Sequence, residues 1–157
     1  MLVLLLGLVV LIADQLTKQG VRAAFSYGES RPVIDGLFNL VYVRNDGAAW
    51  NLLSGHGIIL ILISVAVLVL LLVYRRSFLQ EQFSHRILLG LMVGGILGNL
   101  IDRIRFGWVT DFLDFHIGTH HWPAFNIADS AICMAVVLYV ITNVFPDLGK
   151  KKSAESE

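Results

Sequence analysis

Four stretches of the chain stay apolar for long enough to cross a hydrocarbon core, which takes roughly 20 mostly apolar residues per helix. The first runs from Leu2 to about Gln19, and its part from Leu2 to Ala13 carries no charge. The second, Ile58 to Tyr74, is aliphatic apart from one serine. The third, Ile87 to about Ile104, is rich in glycine and ends in polar residues. The fourth, about Ala124 to Phe145, holds Asn126 and Asp129 near its start. The pattern predicts an α-helical integral membrane protein with four transmembrane helices, at about 2–19, 58–74, 87–104 and 124–145. The first stretch has neither a basic leading region nor a small-residue cleavage site after its apolar run, so it reads as a retained helix and not as a cleaved signal.

Between the first two helices lie close to forty residues, too many for plain loop. Pro32 to Val43 is rich in strand formers and is broken by the turn pair Asp35-Gly36. A small extracytoplasmic β-sheet, or cradle, is expected there, between helices one and two. Asn45 to Leu53 reads as a short interfacial helix with Trp50 as an aromatic anchor. No polar linker divides the chain, so residues 1–157 form one domain with a polar tail at 147–157.

Composition supports the membrane reading. Hydrophobic residues make up 56% of the chain and charged residues 15%, where a soluble domain carries about 25% charged. The net charge is zero, which gives no basic field for nucleic acid. The single cysteine, Cys133, lies in an apolar run and reads as a small buried packing residue. Basic residues set the orientation. Arg75, Arg76 and Arg86 cluster between helices two and three, and Lys150, Lys151 and Lys152 follow helix four. Both segments, and with them both termini, are expected to be cytoplasmic. Arg22, Arg31, Arg44 and Arg105 fall in the outer segments and are scattered along the sequence.

The polar residues at membrane depth point to chemistry, because ionisable groups there are costly and usually functional. They collect at the outer ends of the helices: Asp14 and Lys18, then Asn99, Asp102 and Arg103, then Asn126 and Asp129, with Asp111 and Asp114 just before helix four. Gly94, Gly95 and Gly98 recur at spacings that let another helix come close. Asp14 and Lys18 stand at i, i+4 and can pair along their helix, or bind a lipid or substrate headgroup. Asp111 and Asp129 each sit among apolar neighbours. Two facing carboxylates share one proton, since like charges that close do not both ionise. One then draws a proton from water while the other protonates a scissile carbonyl oxygen. Such chemistry calls for no metal, cofactor or covalent intermediate. Paired acids also serve ion carriers, and polar motifs also pack helices in scaffolds, so the spacing alone leaves those readings open. Carriers keep their sites near the bilayer midplane, whereas these acids gather at one face.

Other chemistries are poorer. His116, His120 and His121 with Asp111 or Asp114 are potential metal ligands, but in a short aqueous loop such histidines are usually just solvated. Ser130 lacks a nucleophile-elbow context and a placed base.

Read in order, five segments resemble the bacterial lipoprotein signal peptidases, or signal peptidase II: Asp14-Gln15-Leu16-Thr17-Lys18, then Val43-Arg44-Asn45-Asp46-Gly47-Ala48-Ala49-Trp50, then Gly94 to Arg103, Val109 to Asp114, and Phe125 to Asp129. The resemblance implies an aspartic endopeptidase of the bacterial cytoplasmic (inner) membrane, with its active site at the outer face. It implies removal of the signal peptide from prolipoproteins, on the N-terminal side of a diacylglyceryl-modified cysteine. Asp111 and Asp129 would be the catalytic dyad. Asn45, Asn99, Arg103 and Asn126 would bind substrate or hold the site, with Asp14 and Lys18 in support, while Asp102 and Asp114 would be structural. The expected partners are the lipid-modified prolipoprotein and membrane lipids; the chain is expected to act as a monomer, without metal or cofactor. Two acyl chains keep such a substrate in the bilayer, so its scissile bond has to be met at the membrane surface.

Overall fold

A computed structural model describes residues 1–75 and 83–144. In chain order it contains α1 (Leu2–Ala24), β1 (Ser30–Ile34), β2 (Phe38–Asn45), a 3-10 turn (Ala49–Asn51), α2 (Gly57–Val73), α3 (Phe83–Phe106), β3 (Val109–Ile117), β4 (His120–His121) and α4 (Ile127–Val144). The polar tail expected at 147–157 lies outside the described residues.

Burial is inverted relative to a water-soluble domain. The largest fully buried side chains are Lys18, Asn126, Thr110, Asp14, Asp102 and Asp111, while Leu4, Leu62, Val73 and Val137 are more than half exposed. Apolar surface of that extent is stable only against a partner or lipid. Helices Leu2–Ala24 and Ser84–Phe106 are long and apolar enough to cross a bilayer; Gly57–Val73 and Ile127–Asn143 are apolar but shorter.

α3 is the central helix, packed between α1 and α4. Its glycines set the closeness of both crossings. A Cβ on Gly94 would stand 2.5 Å from the Gly7 carbonyl oxygen of α1, and one on Gly95 would stand 2.5 Å from the Ala128 carbonyl oxygen of α4. The expected small-residue stripes are therefore real packing faces, one toward each neighbour.

α1 continues to Ala24, five residues past the polar boundary expected at Gln19. Lys18 and Arg22 do not end the helix because they turn inward. Lys18 Nζ stands 2.9 Å from Asp14 Oδ2 and 3.5 Å from Asp102 Oδ2, and donates to Asn99 Oδ1 at 2.8 Å. Arg22 Nη1 lies 3.7 Å from Asp102 Oδ2. The two carboxylates tie further elements into the core: Asp14 Oδ1 accepts from the Ala128 backbone N–H at 3.0 Å, and Asp102 Oδ2 from that of Thr110 at 3.0 Å. Gln15 Nε2 donates to the Gly98 carbonyl at 3.1 Å and to Asp102 Oδ1 at 3.2 Å. α3 ends with Gly107 at φ +81, whose N–H returns to the Arg103 carbonyl at 3.0 Å, the left-handed stop that glycine adopts without strain.

The four strands form an antiparallel run in the order β1-β2-β3-β4. The cradle expected between helices one and two is thus only half of the sheet. The other half, β3 and β4, comes from the segment between α3 and α4, where the histidines were expected in a loop. His116 and His121 are paired across β3 and β4. Asn45 to Leu53 is not a regular helix: it is the end of β2 followed by the 3-10 turn, with Trp50 at φ 53 and Leu53 at φ 59.

Candidate active site

The chain reaches Asp111 on β3 and Asp129 in the first turn of α4 by different routes, and one short pairing brings them together. Phe125 bonds back to β3, its N–H donating to the Leu113 carbonyl at 3.1 Å and its carbonyl accepting from Phe112 and Leu113 at 3.0 and 2.8 Å. That delivers Asn126 to the edge of Asp111. Opposite, the β2–β3 register shifts between Leu40 and Val43, so that Val41 and Tyr42 face Phe112 alone. A bulge of this kind re-aims neighbouring side chains; beyond it, Asn45 Nδ2 donates to Asp111 Oδ2 at 2.9 Å.

Asn126 and Asp129 cap α4 reciprocally. The Asn126 side-chain oxygen accepts from the Asp129 N–H at 3.0 Å, and Asp129 Oδ2 accepts from the Asn126 N–H at 3.1 Å, an Asn-x-x-Asp version of the capping box. This leaves the Asn126 amide group free to donate to Asp111 Oδ1 at 2.7 Å. Asn99 Nδ2 donates to Asp129 Oδ1 at 2.7 Å, while its oxygen takes the Lys18 ammonium. Lys18 therefore orients the Asn99 amide so that its donor edge meets Asp129.

Both carboxylates open on a cavity of about 620 Å³. Val43, Trp50, Trp122, Phe125 and Ile132 supply apolar wall, and Arg103 and Asn99 line it as polar groups. Arg103 Nη2 donates to the Gly47 carbonyl at 3.0 Å. Its buried Nε has no hydrogen-bond partner. Trp50 and Trp122 meet edge to face at 5.3 Å. Burial pushes the Asp111 carboxyl up to about 7, with the charge of Asp129 as the second cause, against the lowering effect of the Asn45 and Asn126 hydrogen bonds.

Asn45, Asn99, Arg103, Asp111 and Asp129 thus line one cavity; Asn126 is fully buried at its wall and reaches Asp111 by its hydrogen bond. Asp14 and Lys18 do not line it. Both are fully buried behind it, so the headgroup-binding option for that pair falls away and a positioning role remains. Asp114 accepts from His121 Nδ1 at 2.8 Å and from Asn39 at 3.0 Å, which holds the sheet together. No group of three or more potential metal ligands gathers among the described residues. Cys133 corrects the expectation of a buried thiol: it is exposed and lines the cavity one turn beyond Asp129. Trp122 and Gln15 were not singled out from sequence. Gln15 lay inside the first motif; nothing in the sequence marked Trp122 as a wall residue.

A family model described as Signal peptidase (SPase) II matches residues 6–145. The chain belongs to the signal peptidase II family. Curated relatives named lipoprotein signal peptidase include those of Desulforapulum autotrophicum, 42% identical over 92% of this chain and 94% of the relative, and Bacillus velezensis, 43% identical over 97% and 99%. That of Moorella thermoacetica is 46% identical over 86% and 87%. Among solved structures, a bacterial membrane enzyme determined at 2.3 Å by the in meso method superposes with a TM-score of 0.85, at 35% identity, covering 99% of this chain and 94% of the other. Signal peptidase II membership agrees with the inverted burial, and all five segments that carried the resemblance lie within the matched span.

Proposed function

We propose that the chain is an intramembrane aspartic endopeptidase that removes the signal peptide from prolipoproteins, with Asp111 and Asp129 as its catalytic pair. One observation carries the reading: Asn126 holds both carboxylates at once, Asp111 by its side chain and Asp129 by its backbone, on the wall of a single cavity. Near neutral pH the pair shares about one proton. The ionised member takes a proton from a water placed between them, and the water oxygen attacks the scissile carbonyl. The protonated member gives its proton to the carbonyl oxygen as the tetrahedral species forms. The member that took the water proton then gives it to the leaving nitrogen as the carbon–nitrogen bond breaks, while its partner takes back the hydroxyl proton of the tetrahedral species, so the pair again holds one proton.

The remaining groups are matched to an extended peptide. Arg103 and Asn45 border the cavity with donors suited to backbone carbonyls, and the apolar walls suit the acyl chains of a diacylglyceryl cysteine and the apolar signal segment. Cleavage falls on the N-terminal side of that cysteine. In this reading all four long helices cross the bacterial inner membrane, both termini are cytoplasmic, the sheet and dyad sit at the outer face, and the enzyme works as a monomer. The 3-10 segment around Trp50 closes over the bound peptide.

A gel-shift assay on a diacylglyceryl-modified prolipoprotein tests the assignment. Wild type should cut before the modified cysteine, while Asp111→Asn and Asp129→Asn stay folded and lose turnover. Turnover by either variant at near wild-type rate would remove that aspartate from the catalytic pair.

A further inference from the structure

Arg22, Arg44 and Arg105 are scattered in the sequence but converge in space. Phe106 and Trp108, at the end of α3 and the approach to β3, lie 5.8 Å apart between ring centroids. Arg22 Cζ is 4.7 Å and Arg105 Cζ 5.0 Å from the Phe106 centroid. Arg44 Cζ is 4.7 Å from Trp108, 4.8 Å from Tyr27 and 5.4 Å from Tyr42, and its Nε donates to the Tyr42 hydroxyl at 3.1 Å. On β2, Arg44 alternates with Val43 and Asn45, and it also lines the edge of the cavity on which Asp111 and Asp129 open. The cluster therefore adjoins that cavity through Arg44, while Arg22, Arg105, Phe106 and Trp108 lie outside its lining.

Its charge is poorly balanced. Arg22 has Asp102 at 3.7 Å, but that carboxylate also serves Lys18. Arg44 and Arg105 are exposed and form no ion pair among the described residues. Arginines in the last turn of a helix offset its terminal carbonyls, which accounts in part for Arg22 and Arg105. Arg44 is on a strand, so that account does not reach it. A guanidinium laid over an aromatic ring engages through its face and keeps its in-plane N–H edges for an oxyanion, in the fork geometry that suits phosphate. Tyr27 and Trp108 are the residue types that favour headgroup depth.

We propose that this arginine–aromatic cluster is a binding site for the phosphodiester of an anionic bilayer phospholipid, beside the substrate cavity and bordering it at Arg44. An anionic headgroup is preferred because a zwitterionic one would bring its ammonium beside three arginines. The inference rests on the membrane-embedded reading of the chain and not on the catalytic role of the aspartates.

Native mass spectrometry of the purified full-length protein, equilibrated with phosphatidylglycerol or phosphatidylethanolamine, tests it without any cleavage readout. Wild type should retain phosphatidylglycerol preferentially. Arg44→Gln with Arg105→Gln should lose one tightly held phosphatidylglycerol, with affinity falling about fivefold per arginine removed. Arg31→Gln, which removes an outer arginine already paired with Glu29, should lose none. Should the double variant fail to fold, Arg105→Gln alone must still weaken retention. An unchanged number of bound phosphatidylglycerol molecules in the arginine variants, or no preference in wild type, would overturn the proposal. Displacement of the lipid by soluble glycerol phosphate at equal concentration would overturn the lipid as occupant.

Discussion

Asn126 Nδ2 lies 2.7 Å from Asp111 Oδ1, and the same residue's backbone N–H lies 3.1 Å from Asp129 Oδ2. The spacing of the two carboxylates is therefore set by the N-cap of α4. Replacing Asn126 by Ala removes the Asp111 contact and the side-chain cap but leaves the backbone donor to Asp129. Steady-state and binding measurements on Asn126→Ala should show kcat reduced by about 10²-fold or more, the scale of losing a positioned catalytic contact, with substrate binding changed far less. A stability loss of about 1 kcal/mol should accompany it from the missing cap. A variant that keeps full kcat would mean the dyad geometry is held elsewhere.

The raised Asp111 carboxyl predicts a pH dependence with a defined sign. Its ordinary value is 3.8 and its value in the fold is about 7. Between those values the folded state binds more protons than the unfolded state, so stability is highest below about 3.8 for this group and falls as pH rises through about 7. Asp111→Asn cannot ionise. Its melting temperature, measured against wild type, should gain steadily from pH 4 to 7 and level off above. In wild type, kcat/KM should fall on the alkaline side of neutrality as the pair loses its shared proton. A flat melting-temperature difference across this range would refute the raised value.

Lys18 sits fully buried between Asp14 and Asp102 and donates to Asn99. Lys18→Met leaves two buried carboxylates without their shared cation. Loss of one partner from a buried ionic cluster costs about 3–5 kcal/mol, and Asn99 loses the group that orients it toward Asp129. Thermal unfolding and turnover should both suffer. Wild-type stability in Lys18→Met would show that the cluster is compensated by other means.

Two glycine substitutions separate helix packing from helix propensity. A Cβ at Gly98 would stand 2.5 Å from Asp14 Oδ2, whereas at Gly20 nothing lies within 4 Å. Gly98→Ala should destabilise by about 1–3 kcal/mol through overpacking. Gly20→Ala, in the exposed interior of α1, should be neutral or stabilise by up to about 1 kcal/mol. Melting curves that rank the two the other way would contradict the crossing of α1 and α3.

The segment from Asp46 to Gly55 is a pinned loop. The Asp46 carboxylate accepts from Ser54 Oγ at 2.8 Å and from the Gly55 N–H at 3.2 Å, closing its base, while Trp50 rests on Trp122 across the cavity mouth. Trp50 and Leu53 hold left-handed backbone conformations, a strain of about 1–3 kcal/mol each that opening of the loop can release. Joining Trp50→Cys to Trp122→Cys with a short cleavable cross-linker, in a Cys133→Ser background, should stop turnover and cleaving the linker should restore it. Undiminished turnover in the linked protein would show that the loop is not a lid.

Much of this protein is legible in one dimension because its constraints are local. A helix that faces lipid needs an unbroken apolar run, so four helices and the glycine stripes of α3 stand out directly, as does the turn between β1 and β2. The proposed catalytic pair stands out because carboxylates in such apolar surroundings are rare. Other features depend on segments distant in sequence. The strand β3 was missed because Val109–Ile117 becomes strand only by pairing with β2, and no local pattern announces the partner. The reach of α1 past Lys18 and Arg22 depends on Asp102 and Asn99 of α3, which turn polar residues that look like a helix end into interior ones. The pairing of Phe125 with Leu113, which closes the 18-residue gap between Asp111 and Asp129, and the convergence of Arg22, Arg44 and Arg105 on Phe106 and Trp108 arise only when the helices cross and the sheet closes. Periodicity records which residues meet lipid; which polar groups meet one another is decided by packing between remote segments.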